Sequence, residues 1–334
     1  MKTGKRDDPA PTCGFEATLP PSGDLTWKAS LRIDQPMTAP ASLSIDTDWD
    51  GPAFEVRRPE TLSTPLIFAS PHSGRVYPDS LTRASALDAL AIRRSEDAFV
   101  DELISGAFQR GVAGVLCRTA RVFVDVNRDP WELDPAMFRD PLPAHARSQT
   151  PRVAAGLGSI AKVVGEGREV YTRKLSLAEG EARIESVHRP YHAALSALLE
   201  EAKAQFGLAV LIDWHSMPSA AGKSEARRGR ARPDMVLGDR HGAACARPLS
   251  QTLRRVLETM GYTVTQNAPY AGGWTTQTYG APASAIHALQ VEIDRSLYLN
   301  ETTLERTEGF RRLQRDLERL FDTLTGIDWP RALA

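Results

Sequence analysis

Cysteine is scarce in this chain: Cys13, Cys117 and Cys245 are the only three in 334 residues, widely spaced and with no Cys-x-x-Cys pair. An odd, scattered set excludes a disulfide framework and a thiolate zinc site, and it fits a reducing compartment. Net charge is nearly absent as well, since 41 basic side chains face 42 acidic ones. Without a field of one sign, nothing draws in nucleic acid or an anionic membrane surface. No apolar run approaches the ~18 residues that cross a bilayer. The first residues lack a basic-then-apolar signal pattern, and no internal repeat is present. The expectation is a soluble cytoplasmic protein with neither nucleic acid nor membrane as partner.

At 42% hydrophobic and 25% charged, the chain carries material for a large core, in one big α/β domain or two smaller ones. Residues 1–48 are rich in Pro, Ser, Thr, Asp and Ala, with few aromatics and no sustained period. They read as a flexible N-terminal extension, which leaves 49–334 as the folded part.

The stretch Leu208-Ala-Val-Leu-Ile-Asp-Trp-His215-Ser-Met-Pro218 organises the rest. Five apolar residues predict a strand buried on both faces, followed by Asp213 and His215, and Pro218 has no N–H with which to continue a ladder. Ligands of open α/β sheets bind beyond the carboxyl ends of central strands. His215 is thus a candidate for metal ligation or proton transfer, or simply a hydrogen-bonded histidine at a strand end. Residues 65–69 form a second short apolar run, leading into Ser70-Pro-His72-Ser-Gly74, where Pro71 and Gly74 force a tight loop. A single loop histidine is ordinarily just solvated. Two, each ending a buried strand, are harder to dismiss.

A helix is expected from Ser95 as N-cap, with Glu96, Asp97, Asp101 and Glu102 at the positive end of its dipole and Gly111 after its last turn. Val100, Leu103, Ile104 and Ala107 supply its apolar stripe. Glu96 and Asp97 either complement the dipole or include a carboxylate ligand for a metal. Residues 114–118 and 122–126 read as strands, the second running into Asn127 and Arg128. Arg128 could clamp a carboxylate or a developing oxyanion through its planar fork, or pair at the surface with Asp125 or Asp129. His188 and His192 lie four apart on a long helix over 181–206. Arg189 stands where a metalloprotease helix needs Glu, and Pro190 interrupts the pair, so both read as structural, with His192 the nearer to any pocket.

Residues 219–232, with Lys223, Arg227, Arg228, Arg230 and Arg232, form either a solvated mobile loop or a lid over an anionic substrate. Shorter signals follow: a strand at 235–237, a helix over about 246–260, a strand at 262–265, and a Gly272-Gly273 pair. That pair lets backbone approach a ligand or take a positive φ. In the last strand, 286–295, alternation sets Ala288, Gln290, Glu292 and Asp294 on one face and His287, Leu289, Val291 and Ile293 on the other. A glutamate among such neighbours acquires a raised pKa, as a general base working near neutral pH requires. An amphipathic helix after Asn300 closes the domain.

Ser-Pro-His72-Ser-Gly with Tyr-Pro following, Asp125-Val-Asn-Arg128, Asp213-Trp-His215-Ser-Met-Pro, Asn267-Ala-Pro-Tyr-Ala-Gly-Gly and Gln290-Val-Glu-Ile-Asp-Arg295-Ser-Leu-Tyr together resemble the N-formylglutamate amidohydrolase family. The resemblance covers roughly residues 54–325. Each motif alone is weak; five in order are specific. The resemblance implies a fold similar to the zinc carboxypeptidases, a three-layer α/β/α sandwich on a mixed, mostly parallel sheet, with 49–334 as the catalytic domain. It implies one Zn2+ per chain, or another divalent transition metal, held by His72 and His215, with Glu292 as the base. Carboxypeptidases place Glu three residues after the first His, where this chain has Arg75. Histidine-degrading family members carry Asp-Thr-Asp-Trp near the helix start, and Ser95-Glu96-Asp97-Ala98 corresponds to it here. Asp97 is the matching carboxylate ligand, with Glu96 in reserve.

The implied reaction is hydrolysis of N-formyl-L-glutamate, or a related N-acyl amino acid, to formate and L-glutamate. The metal with Arg128 would stabilise the oxyanion, and Asn127, Arg295 or the basic 219–232 segment would hold the anionic substrate. Alternatives are a carboxypeptidase-like hydrolase of another N-acyl amino acid or peptide, and a non-catalytic descendant that binds an anion.

Overall fold

A computed structural model of the chain describes residues 51–229 and 232–333; the expected extension over 1–48 and Arg230 of the basic segment lie outside the described residues. Seven strands form the main sheet: β1 (Phe54–Arg57), β2 (Leu66–Ser70), β3 (Ala113–Cys117), β4 (Ala209–Met217), β5 (Met235–Gly238), β6 (Val264–Gln266) and β7 (Ile286–Asp294). Their order is β1-β3-β2-β4-β7-β5-β6. Every neighbouring pair is parallel except β1 with β3 and β7 with β5, so the sheet is mixed and mostly parallel. The principal helices are α1 (Arg189–Phe206), α2 (Ser219–Arg227), α3 (Arg247–Thr259) and α4 (Gly309–Thr325).

The period-2 alternation of β4 and β7 sorts their side chains into two layers. Val210, Ile212, Trp214, Leu289, Val291 and Ile293 pack in one core with Leu249, Leu253 and Leu257 of α3 and Leu313, Leu317 and Leu320 of α4. Ala209, Leu211 and Ala288 face the other way, into a core with Tyr191, Leu195, Leu198 and Leu199 of α1. Helices on both faces of a sheet make the α/β/α sandwich that the family resemblance implies. Further along β4 and β7, on the α1 side, the alternation delivers Asp213, His215, Gln290 and Glu292. The register pairs Asp213 with Gln290 and His215 with Glu292.

Several expected elements differ from those observed. β4 continues through Asp213 and His215 to Met217 and stops at Pro218, so His215 lies within the strand rather than after it. Residues 122–126 are not a strand, although Val122, Val124 and Val126 are buried. Both edges of β3 are already occupied, by β1 and β2, which leaves no ladder for this segment to join. The helix expected from Ser95 begins only at Val100, because the Asp97 N–H donates to the His72 carbonyl at 2.9 Å and Phe99 turns the chain at φ 64°. A helix of four residues and a 3₁₀ segment over Ser105–Arg110 follow. The basic segment after Pro218 forms α2 rather than a loop. Arg232 pairs there with Asp294 at 3.2 Å.

Candidate metal centre

β2 and β4 run side by side and present His72, just beyond the end of one, and His215, near the end of the other. The loop carrying His72 packs so closely that a Cβ on Gly74 would fall 2.3 Å from the Thr119 carbonyl oxygen. Both imidazoles are buried, with ring centroids 4.7 Å apart. Asp97 enters between them. Its Oδ2 lies 3.0 Å from His215 Nδ1 and 3.3 Å from His72 Nδ1. One ligand atom from each of the three residues falls within 4.8 Å of the others.

The outer nitrogens settle which way the rings present their lone pairs. His72 Nε2 stands 2.6 Å from Asp125 Oδ1, and His215 Nε2 stands 3.0 Å from Asp213 Oδ2. An ionised carboxylate only accepts, so with each Nε2 donating outward a cation between the rings would find a lone pair on each Nδ1; without one, His215 Nδ1 is within hydrogen-bond reach of Asp97 Oδ2. His72 Nδ1 is buried without a hydrogen-bond partner among the described residues. Leaving such an atom unsatisfied is costly, and a cation on the two Nδ1 atoms and Asp97 Oδ2 would satisfy it. Two nitrogens and one carboxylate oxygen fit a divalent transition metal.

The surrounding charge favours a cation too. Burial pushes the Asp97 carboxyl up, but the adjacent His215 and His72 rings outweigh that and hold it well below the usual range. Asp125 behaves alike: burial raises it, while Arg121 and His72 bring it well below. Burial depresses His215, yet Asp213 and Asp97 reverse this and leave its pKa well above an ordinary histidine's. The cluster therefore attracts positive charge to the spot between the rings.

Arg295, expected to hold the substrate, stands against Asp97. Its Nε donates to Ser216 Oγ at 3.0 Å, its Nη1 to the Arg94 carbonyl at 3.3 Å and its Nη2 to Asp97 Oδ1 at 3.0 Å. Each of its three nitrogens has a partner within the protein, so Arg295 props the carboxylate of Asp97, and it also lines the cavity beside the cluster. Glu96, the reserve ligand, is turned away. It accepts from Tyr77 Oη at 2.5 Å and from Arg93 at 2.8 and 3.1 Å.

A cavity of about 550 Å³ opens beside the cluster and is lined by His72, Asp97, His215, Arg121, Asn127, Arg128, Tyr270 and Glu292, among others. Burial raises the Glu292 carboxyl to about 7, against an opposing pull from His215. Gln290 Nε2 donates to Glu292 Oε1 at 2.7 Å, and Gln290 Oε1 accepts the Gly273 N–H at 2.7 Å. Gly272 takes φ 119°, while at Gly273 a Cβ would fall 2.5 Å from the Asn127 amide. The pair thus provides both the turn and the close approach.

Asn127 Oδ1 accepts the Thr275 N–H at 2.8 Å, which fixes its amide with Nδ2 3.1 Å from His215 Nε2. Arg128 is anchored through Nε to the Leu157 carbonyl at 3.2 Å and through Nη1 to the Asn127 carbonyl at 2.8 Å. Its Nη2 has no partner among the described residues. Neither His188 nor His192 is among the lining residues.

Sequence reasoning missed Arg121, which bonds Asp125 Oδ2 through Nη2 at 2.7 Å and lines the cavity. It stands on a turn, where no periodicity marks it. It also missed the supporting roles of Asp213 and Gln290. Each sits two residues before a site residue on the same strand, and that spacing is the available signal.

Comparison with known proteins places these observations in a family. The family model described as N-formylglutamate amidohydrolase matches residues 64–299. An N-formylglutamate deformylase from Pseudomonas putida is 31% identical over 242 residues, covering 71% of this chain and 83% of that protein. A protein of the same name from Pseudomonas aeruginosa is 28% identical over 240 residues, with the same coverage of 71% and 83%. The crystal structure of N-formylglutamate amidohydrolase from Ralstonia eutropha JMP134 superposes with a TM-score of 0.74 at 36% identity, covering 82% of this chain and 97% of that one.

Proposed function

Because the chain belongs to the N-formylglutamate amidohydrolase family, we propose that it is a zinc-dependent hydrolase of N-formyl-L-glutamate, or of a closely related N-acyl amino acid. The observation that carries this reading is the inward convergence of His72 Nδ1, His215 Nδ1 and Asp97 Oδ2 beside a buried glutamate. His72, Asp97 and His215 would hold the ion. When bound, zinc supplies Lewis acidity that polarises the formyl carbonyl and lowers the pKa of a coordinated water.

The protein's own groups do the rest. Glu292, with its carboxyl raised to about 7, is tuned to take a proton from water as the water oxygen adds to the formyl carbon. Arg128, anchored by its backbone contacts, directs its unpartnered Nη2 at the developing oxyanion. Glu292 then returns the proton to the amide nitrogen as the C–N bond breaks. Formate and the free amine of glutamate leave. Asn127 Nδ2 and Arg121 supply donors for the substrate carboxylates.

The test is release of formate and L-glutamate in equal amounts from N-formyl-L-glutamate by the zinc-loaded protein. Glu292→Gln should retain zinc and lose turnover by about 10²- to 10⁴-fold, the usual contribution of a general base. Undiminished turnover in that variant would remove Glu292 from the role. A panel of N-formyl and N-acetyl amino acids assigns the acyl and side-chain preference.

A further inference from the structure

From the contacts of the α1 histidines, we propose that His188 and His192 act as positioning residues, a two-point clamp on the turn that carries Asn127 and Arg128. The inference rests on the functional reading above only in the roles given to those two residues. The helical run over 177–206 contains a π turn at Ile184–His188, just ahead of Pro190. Such turns recur at functional sites. Here the two histidines, four apart, share one helix face with ring centroids 4.6 Å apart. His188 Nε2 meets the Arg128 carbonyl at 2.9 Å, and His192 Nε2 meets the Val126 carbonyl at 2.7 Å. The two carbonyls flank Asn127.

A carbonyl only accepts, so both Nε2 atoms carry hydrogens. Burial pulls both pKa values down, His192 to about 3, so each ring is neutral and its other nitrogen bears a lone pair. For His192 that nitrogen faces the Tyr279 hydroxyl at 2.9 Å, and the same hydroxyl lies 3.2 Å from the His192 carbonyl. Trp274 lies against both rings, with centroids 5.2 and 4.6 Å away. The next residue, Thr275, donates the N–H that pins Asn127 Oδ1. One cluster thus secures the backbone on either side of Asn127 and, through the neighbouring residue, its side-chain amide.

A clamp and a mere packing cluster differ in what they couple to. His192→Phe keeps an aromatic ring and removes both hydrogen bonds. The expected result is a fall in kcat/KM of about tenfold with zinc content unchanged, the effect of losing one well-made polar contact. His192→Gln, which retains a donor near the place of Nε2, should recover to within about threefold of wild type. The decisive measurement is the combined variant. With Asn127→Ala and Arg128→Ala both already present, His192→Phe should change kcat/KM less than about twofold, because both its targets are gone. A full tenfold loss in that background, or loss of zinc from the single variant, would overturn the clamp.

If His192→Phe does not fold, Tyr279→Phe removes the hydroxyl that meets both the His192 ring and its carbonyl, and the same coupling to Asn127 and Arg128 is expected at smaller size. The wild type in the same assay tests the functional reading by itself. Calorimetric Kd values for L-glutamate carry the clamp test without turnover: His192→Phe should weaken binding, and an unchanged Kd counts against the clamp.

Discussion

The cavity has two sides that differ in how far the protein satisfies its own polar groups. Where β2 and β4 end, the bonds are internal. Both Nε2 atoms have carboxylate partners, Asp97 Oδ1 accepts from Arg295 and Ser216, and the buried atoms of this cluster left without a partner among the described residues are His72 Nδ1 between the rings and Asp213 Oδ1 behind His215. Across the opening, Arg128 is fastened by two backbone carbonyls and Arg121 by one carboxylate oxygen, and each still has N–H groups without a partner among the described residues. The first side is built around one missing charge at one point. The second is built to receive a ligand of some extent. A lesion on the first side should therefore act through metal occupancy, nearly all or none, while a lesion on the second should be graded and leave the metal in place.

The largest expected effect breaks the first side. His215→Ala removes one of three ligand atoms and leaves Asp97 and Asp213 facing each other without the imidazole between them. Metal analysis after gel filtration should find the protein stripped, and formate release should be abolished. Full metal occupancy in this variant would contradict the ligand assignment. Next in size is Arg128→Gln on the second side. Loss of one oxyanion donor should lower kcat by about 10²-fold. Zinc content should equal that of wild type, and a loss of zinc here would erase the distinction between the two sides.

The same contrast governs what could be read from the sequence. His72 and His215 were legible because an apolar run followed at once by an ionisable group is a local pattern, and strand ends are where α/β proteins bind ligands. Glu292 was legible through alternation, which set it on a face with Ala288 and opposite Leu289, Val291 and Ile293. The choice of Asp97 over Glu96 came only through family resemblance, since its setting is a turn that the helix pattern concealed. The Asp97 N–H serves the His72 carbonyl, a partner 25 residues away that no local rule names.

The second side was less legible. Arg121, Asn127 and Arg128 lie on irregular backbone that alternating Val122, Val124 and Val126 had disguised as a strand. Arg295 shows the remaining gap. Sequence gives the charge of a side chain but not its partners, and this one, while lining the cavity, also braces Asp97.

The finest expected effect joins the two sides through Gln290, which ties Glu292 to the Gly273 backbone. The base must be ionised to accept a proton, so activity falls as pH drops through the pKa of Glu292, which burial has raised to about 7. The Gln290 N–H stabilises the ionised form and draws that pKa down. Gln290→Met removes it, so the acid limb of kcat should move to higher pH. A net hydrogen bond of about 1 kcal/mol corresponds to a displacement of roughly 0.7 pH unit. A bound cation would lower the limb in both proteins and leave the difference between them. Release of the Gly273 N–H can alter the plateau, but it does not move the limb, so the two consequences of the substitution separate in one pH profile. A limb that stays fixed, or moves to lower pH, would mean that a group other than Glu292 sets it.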